Sequence, residues 1–244
     1  MCCFSRKVDL VAATSIFARA STKGKQFLVY SMTLKASEDV AMILPLPTPK
    51  GSAEDAVRFI NLEKYPDFFV ELYAGFPKPA AESRGGDKAK PTRHALKVVE
   101  VGSFEASFVP SVKDFDRLDE RFRLPTEVWE KLPQYADFGF AVFKLKAGEK
   151  KVHPMAFEFP RANPRKLFFP TVHIHDGEVH PKAEFDHYLF CQPSGEESPA
   201  EWQESTQPAG LFMKMDKAQG ILDDDSHCYL LELHGMLKNV DTVI

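Results

Sequence analysis

Four of the eight histidines in this 244-residue chain fall within one short segment, TVHIHDGEVHPKAEFDH, as His173, His175, His180 and His187. Neutral imidazole is the commonest metal ligand and the usual proton carrier near pH 7. His173 and His175 are two apart, so on a strand both rings leave the same face, about 7 Å apart along the backbone. Asp176-Gly177 is a turn signal. The segment therefore predicts a hairpin, with His173 and His175 on one arm, His180 at the start of the return and His187 on the other arm. Paired strands lie about 5 Å apart, which lets the rings converge. We expect His173, His175 and His187 to ligate a transition metal, Zn or Cu rather than Mg or Ca, because the candidate donors are nitrogen and sulfur. His180, beside Pro181, is expected as a further ligand or an acid/base, and Asp176 or Asp186 as a carboxylate orienting a ring. The metal would then activate water or dioxygen. The structural alternative is four separate histidines bonded to backbone or water.

Cys2 is the second candidate. If Met1 is removed, a cysteine at the terminus carries a thiol nucleophile together with its own α-amino base. That start resembles the N-terminal-nucleophile hydrolases of the choloylglycine and penicillin V acylase group. The resemblance implies amide hydrolysis, with Arg19 as a charged partner. The Arg-Asn-Leu-Asp segment of that group is absent; the region reads Phe17-Ala-Arg-Ala-Ser21. Cys2 could instead join the histidines as a soft ligand. Further along, Asp223-Asp-Asp-Ser-His-Cys228 reads as a solvated acidic turn, since its spacing lacks an EF-hand pattern. Arg161 and Arg165 could clamp an anion or simply solubilise a loop. His94 and His153 read as structural. No P-loop, GxGxxG, GxSxG or HExxH is present.

Composition bounds the function classes. With 44% hydrophobic residues and 21 Phe, the chain has enough apolar surface for a core. A net charge of −4 leaves no basic surplus to neutralise phosphates, which argues against nucleic acid as a partner. No apolar run reaches the roughly 18 residues of a membrane span. Arg6, Lys7 and Asp9 interrupt the start, so no signal-peptide core is expected and the location is read as cytoplasmic. Four cysteines are then thiols or ligands rather than a disulfide framework. A small-molecule ligand is the expected partner. The remaining alternative is a non-enzymatic binding or scaffold protein.

Strands must position these groups. Segments 15–19, 26–34 and 40–44 are rich in β-branched and aromatic residues and predict a meander closed by Pro45, Pro47 and Pro49. Short helices are expected over 52–60 and 65–73, and partial helix over 114–132. Lys78–Arg93 reads as a loop. Strands are expected over 98–109, 138–145, 153–159, 167–175, 185–191, 211–215 and 228–236. Gln192–Gln207 reads as an acidic loop. The sum is an α+β, β-rich fold, mostly antiparallel sheet or sandwich with a few short helices. The chain is read as a single domain over 1–244, or as two β-rich lobes of about 1–110 and 111–244.

Three motifs, Met1-Cys-Cys-Phe4, Val40 to Pro49, and the strand Tyr135-Ala-Asp-Phe-Gly-Phe-Ala-Val-Phe-Lys144, are similar to those of an uncharacterised bacterial family, a domain of unknown function. The segment His153 to Phe159 followed by Arg165-Lys-Leu-Phe-Phe-Pro170 extends the resemblance, which spans about two thirds of the chain. It implies a β-rich fold and no particular activity.

Overall fold

Two sheets face each other across a layer of apolar side chains. The computed structural model of the protein describes residues 2–77, 105–193 and 199–244. The five-stranded sheet contains β1 (Cys2–Phe4), β4 (Val40–Leu46), β6 (Glu105–Val109), β7 (Gly139–Leu145) and β10 (His173–Ile174), in the order β10-β1-β4-β7-β6. The seven-stranded sheet contains β2 (Leu10–Ala20), β3 (Lys25–Ala36), β5 (Arg58–Asn61), β8 (Gly148–Pro160), β11 (Lys182–Gln192), β12 (Gln203–Glu204) and β13 (Tyr229–Lys238), in the order β12-β13-β11-β2-β3-β8-β5. A small pair joins β9 (Phe168–Phe169) to β14 (Thr242–Val243). The pairings are antiparallel except β1 with β10 and β11 with β2. The helices are short: α1 (Phe68–Ala74), α2 (Thr126–Glu130) and several 3-10 turns. This is the β-rich α+β class the sequence predicts.

Alternation sorts the side chains into layers. Ile16, Leu28, Tyr30, Met42, Leu44, Phe143, Phe157 and Leu189 pack between the sheets. On the outer face of the larger sheet, Phe17, Val29 and Phe190 meet α1 and the segment around Ile221. On the outer face of the smaller sheet, Ile43 and Phe140 meet α2 and the 3-10 turns, through Phe115 and Trp129. Both sheets draw strands from both sides of residue 110, so a boundary there would cut each of them.

Several elements depart from their expected form. Val40–Leu46 is not the third strand of a meander. All seven of its residues are buried, so it has no solvent face to present. It crosses to the other sheet and sits between β1 and β7. It also runs through Pro45, which lies beyond the stretch paired with β1. The helix expected over 52–60 is absent. Gly51, at φ 75, turns the chain, and Arg58–Asn61 pairs with β8. Phe59 packs toward one layer and Ile60 toward the other, a period of two. The strand expected over 211–215 is replaced by the 3-10 turn Ala209–Leu211, which follows Pro208. Residues 167–175 give two short strands rather than one, broken at Pro170. The expected loop Lys78–Arg93, His94, Met1 and part of the 192–207 loop lie outside the described residues.

Candidate functional site

The three expected ligands come together, but not on a hairpin. His173 lies on β10, in parallel register with Cys2, while Ile174 is in register with Cys3. Cys3 and Ile174 are buried in the outer apolar layer of the smaller sheet. Strand alternation therefore turns His173 toward the inter-sheet layer. His175 follows on the same side, edge-on to Phe4 with ring centroids 5.7 Å apart. His187 lies on β11 in the other sheet, between β13 and β2, with the same parity as the core residues Leu189 and Cys191. The expected hairpin is thus corrected: residues 175–181 carry the chain from one sheet to the other, because β11 finds its partners in β13 and β2 rather than in β10.

Across the gap, His173 Nε2 and His187 Nδ1 are 3.4 Å apart, a hydrogen-bonding distance with one ring donating and the other accepting. The His173 ring centroid is 4.7 Å from that of His187 and 4.9 Å from that of His175. Phe185 closes the other side, 4.5 Å from His173 and 5.1 Å from His187. His187 is 1% exposed. The Nε2 atom of His175 is buried and makes no hydrogen bond.

This environment disfavours the imidazolium form. Burial pushes His173 down to about 3, assisted by repulsion from His175. Burial pushes His175 down to about 4, opposed by the negative charge of Asp176. Burial pushes His187 down to about 2, with repulsion from His173, His175 and His234. The three rings are therefore neutral near pH 7, each with one lone-pair nitrogen.

The C-terminal segment fixes the backbone that presents His173. Asn239 Oδ1 accepts from the His173 N–H at 2.7 Å, and its Nδ2 donates to the carbonyls of His173 at 3.0 Å and His180 at 2.9 Å. Asp241 accepts from the N–H groups of Thr171 and Val172 and from the Tyr135 hydroxyl. Sequence reasoning missed both residues. An Asn or Asp near a C-terminus carries no signal of a partner some 70 positions away.

His180 stands apart from the three rings. It is exposed, with Nε2 3.0 Å from the Asp176 carboxylate. Asp176 also accepts from the Glu178 N–H. Asp186 accepts from the Ala13 N–H at 2.8 Å, at a bulge in β2 where Ala13 has φ 50. Neither carboxylate bonds His173 or His187 among the described residues. Among the described residues there is also no group of three or more His, Cys, Asp or Glu side chains arranged to hold a metal ion.

Other candidates have structural partners. The Arg19 guanidinium donates to the carbonyls of Ile221 and Gly220. Arg161 donates to the carbonyls of Gly24 and Lys166. Asp223 closes its own turn by accepting from the Asp225 N–H and the Ser226 hydroxyl. His227 bonds the Ser205 carbonyl, and His153 the Pro154 carbonyl.

No helix among the described residues is long and apolar enough to cross a membrane. No protein-family model matches the chain, and no curated protein matches it. Solved structures of baculovirus P35 resemble it. P35 itself is 15% identical with a TM-score of 0.49, over 97% of this chain and 96% of that one. A mutated P35 after caspase cleavage is 16% identical with a TM-score of 0.49, over 95% and 99% of the two chains. P35 in the caspase-8/P35 complex is 15% identical, again with a TM-score of 0.49, over 95% of each chain. At these values the likeness carries neither activity nor partner over to this chain.

Proposed function

We propose that the protein binds a transition-metal ion, Zn or Cu, between His173 and His187, with His175 as third ligand. The observation that carries this reading is the 3.4 Å separation of His173 Nε2 and His187 Nδ1. Two imidazole nitrogens bound to one tetrahedral zinc stand about 3.3 Å apart. Burial supports the reading, since the neutral ring is the ligand form and needs no proton released to bind. His175 must turn toward the other two, and its Nε2 has no hydrogen bond to lose. Three ligands would leave a fourth position for water or a small-molecule ligand, where the metal would activate the bound group. His180 would serve such a site as an acid/base only after leaving Asp176. Cys191 and Cys228 are buried, unbridged thiols, which supports a reducing, cytoplasmic setting.

The test is elemental analysis of untagged protein, equilibrated with Zn or Cu and then desalted. About one metal per chain is expected, with loss in His187→Ala; less than about 0.1 per chain overturns the reading.

A second reading is favoured by the register of Cys2 with His173. It makes Cys2 a catalytic nucleophile in amide hydrolysis, with its α-amino group as base once Met1 is removed. Intact mass tests it: Met1 retained quantitatively in active protein excludes that base. If neither metal nor hydrolysis is found, the chain reads as a binding or scaffold protein.

A further inference from the structure

β13 leaves an open sheet edge whose charges are self-complementary. One side of β13 pairs with β11 over ten residue pairs, from Tyr229 to Lys238. The other side meets β12 only at Tyr229 and Leu230. Among the described residues nothing pairs with that side from Leu231 to Lys238. An open edge is a template for another strand.

Charge along the exposed face is unevenly spread. At one end Lys182 and Lys238 lie directly opposite each other on β11 and β13. Both are exposed, and among the described residues neither has a carboxylate within ion-pair distance. Like charges directly opposite are destabilising. At the other end Glu232 lies opposite Tyr188, and Asp186 opposite His234. Glu232 and Asp186 both stand near His234, at 3.3 and 3.5 Å. Between the two ends the exposed Glu184 lies opposite Met236, which is 62% exposed.

We propose that β13 pairs antiparallel with β13 of a second copy, about a two-fold axis at Gly235. Self-pairing about an axis makes an isologous contact in which one patch serves both subunits. The axis at Gly235 sets Glu232 opposite Lys238 of the second copy, twice by symmetry, and Leu233 opposite Leu237. Exposed positions then meet exposed positions, and half-buried leucines meet half-buried leucines. A slip of one residue in pairing would set exposed against half-buried positions. A centre at His234 or Met236 keeps the faces but loses the Glu232–Lys238 pairs. The paired stretch, 232–238, begins just past the residues that β12 occupies and stops where β13 stops. The surplus positive charge at Lys182 and Lys238 meets the negative end of the other copy.

Sedimentation velocity of the full chain over a concentration series tests this. Wild type is expected to move from 27.5 kDa toward twice that mass as concentration rises. Glu232→Lys and Lys238→Glu should each weaken the dimer about tenfold or more, because every reversal turns two cross-strand attractions into repulsions. Mixing the two variants should restore it, since each Lys then faces a Glu on both sides of the axis. Circular dichroism on each variant separates lost pairing from lost folding. A wild type that stays monomeric overturns the proposal, and so does a dimer indifferent to either reversal or one that mixing does not restore.

Discussion

His173 and His187 bring ring nitrogens to 3.4 Å from strands that belong to different sheets. The contact spans the end of the inter-sheet layer. It therefore links the two halves of the sandwich as well as forming the core of the candidate site.

A ligand bound across that gap stabilises the folded state alone. Zn at a hundredfold excess over its dissociation constant should add about 2.7 kcal/mol, read as a rise in Tm. The His173→Ala/His187→Ala variant should show no such rise. An equal rise in the double variant would place the metal elsewhere.

Acid should weaken the fold in a defined window. The three imidazoles hold values of about 3, 4 and 2, against an ordinary histidine value near 6.5. Between these limits the unfolded chain binds more protons than the folded one, so stability rises with pH there. The contribution is complete above about pH 7 and falls as pH drops from about 6.5 toward 4, by at most about 4 kcal/mol per pH unit if all three act together. Urea unfolding at a series of pH values measures the slope. Replacing His173 and His187 by Gln should flatten it; an unchanged slope would contradict the assignment.

Asn239 should matter to the site without touching a ring. Its three bonds to the backbone of His173 and His180 hold β10 in place. Asn239→Ala is expected to cost about 1–3 kcal/mol by leaving the partly buried His173 N–H without its acceptor. It should also lower metal affinity more than the nearby exposed substitution Val240→Ala does. Isothermal titration of the two variants decides.

The bulge of β2 carries strain that can be relieved. Ala13 has φ 50, a left-handed conformation that costs a non-glycine residue about 1–2 kcal/mol. Ala13→Gly should therefore raise stability by up to about 1 kcal/mol, the loss of chain entropy offsetting part of the gain. Denaturant midpoints at constant m-value report the change.

Cys191 and Cys228 should resist thiol reagents in the native protein. Burial pushes the Cys228 thiol up to about 12, and that of Cys191 higher still, with Cys228 adding repulsion. Peptide mapping after alkylation should find both unmodified until denaturant is added. Labelling of either under native conditions would show that the sheets open locally.

The sequence by itself determined the β-rich class, since runs such as QFLVYSMTL and GFAVFKL are short and rich in β-branched and aromatic residues, which favours strand over helix. It also picked out His173, His175 and His187, because their density and parity are properties of the chain. It could not show which strands are neighbours. Val40–Leu46 and the middle of Lys25–Ala36 are both buried on both faces, so burial does not tell them apart; they go to different sheets through the partners they find in the packed sandwich, β1 and β7 for the former and β2 and β8 for the latter. The same holds for the site. A hairpin was the local solution for His173 to His187, since turn chemistry at Asp176-Gly177 is a short-range signal. Tertiary structure overrode it by giving β11 longer ladders with β13 and β2 than β10 could offer with two residues. Asn239 and Asp241 were invisible for the same reason: their partners lie far away in the chain, and hydrogen bonds of that range exist only once the sheets have closed.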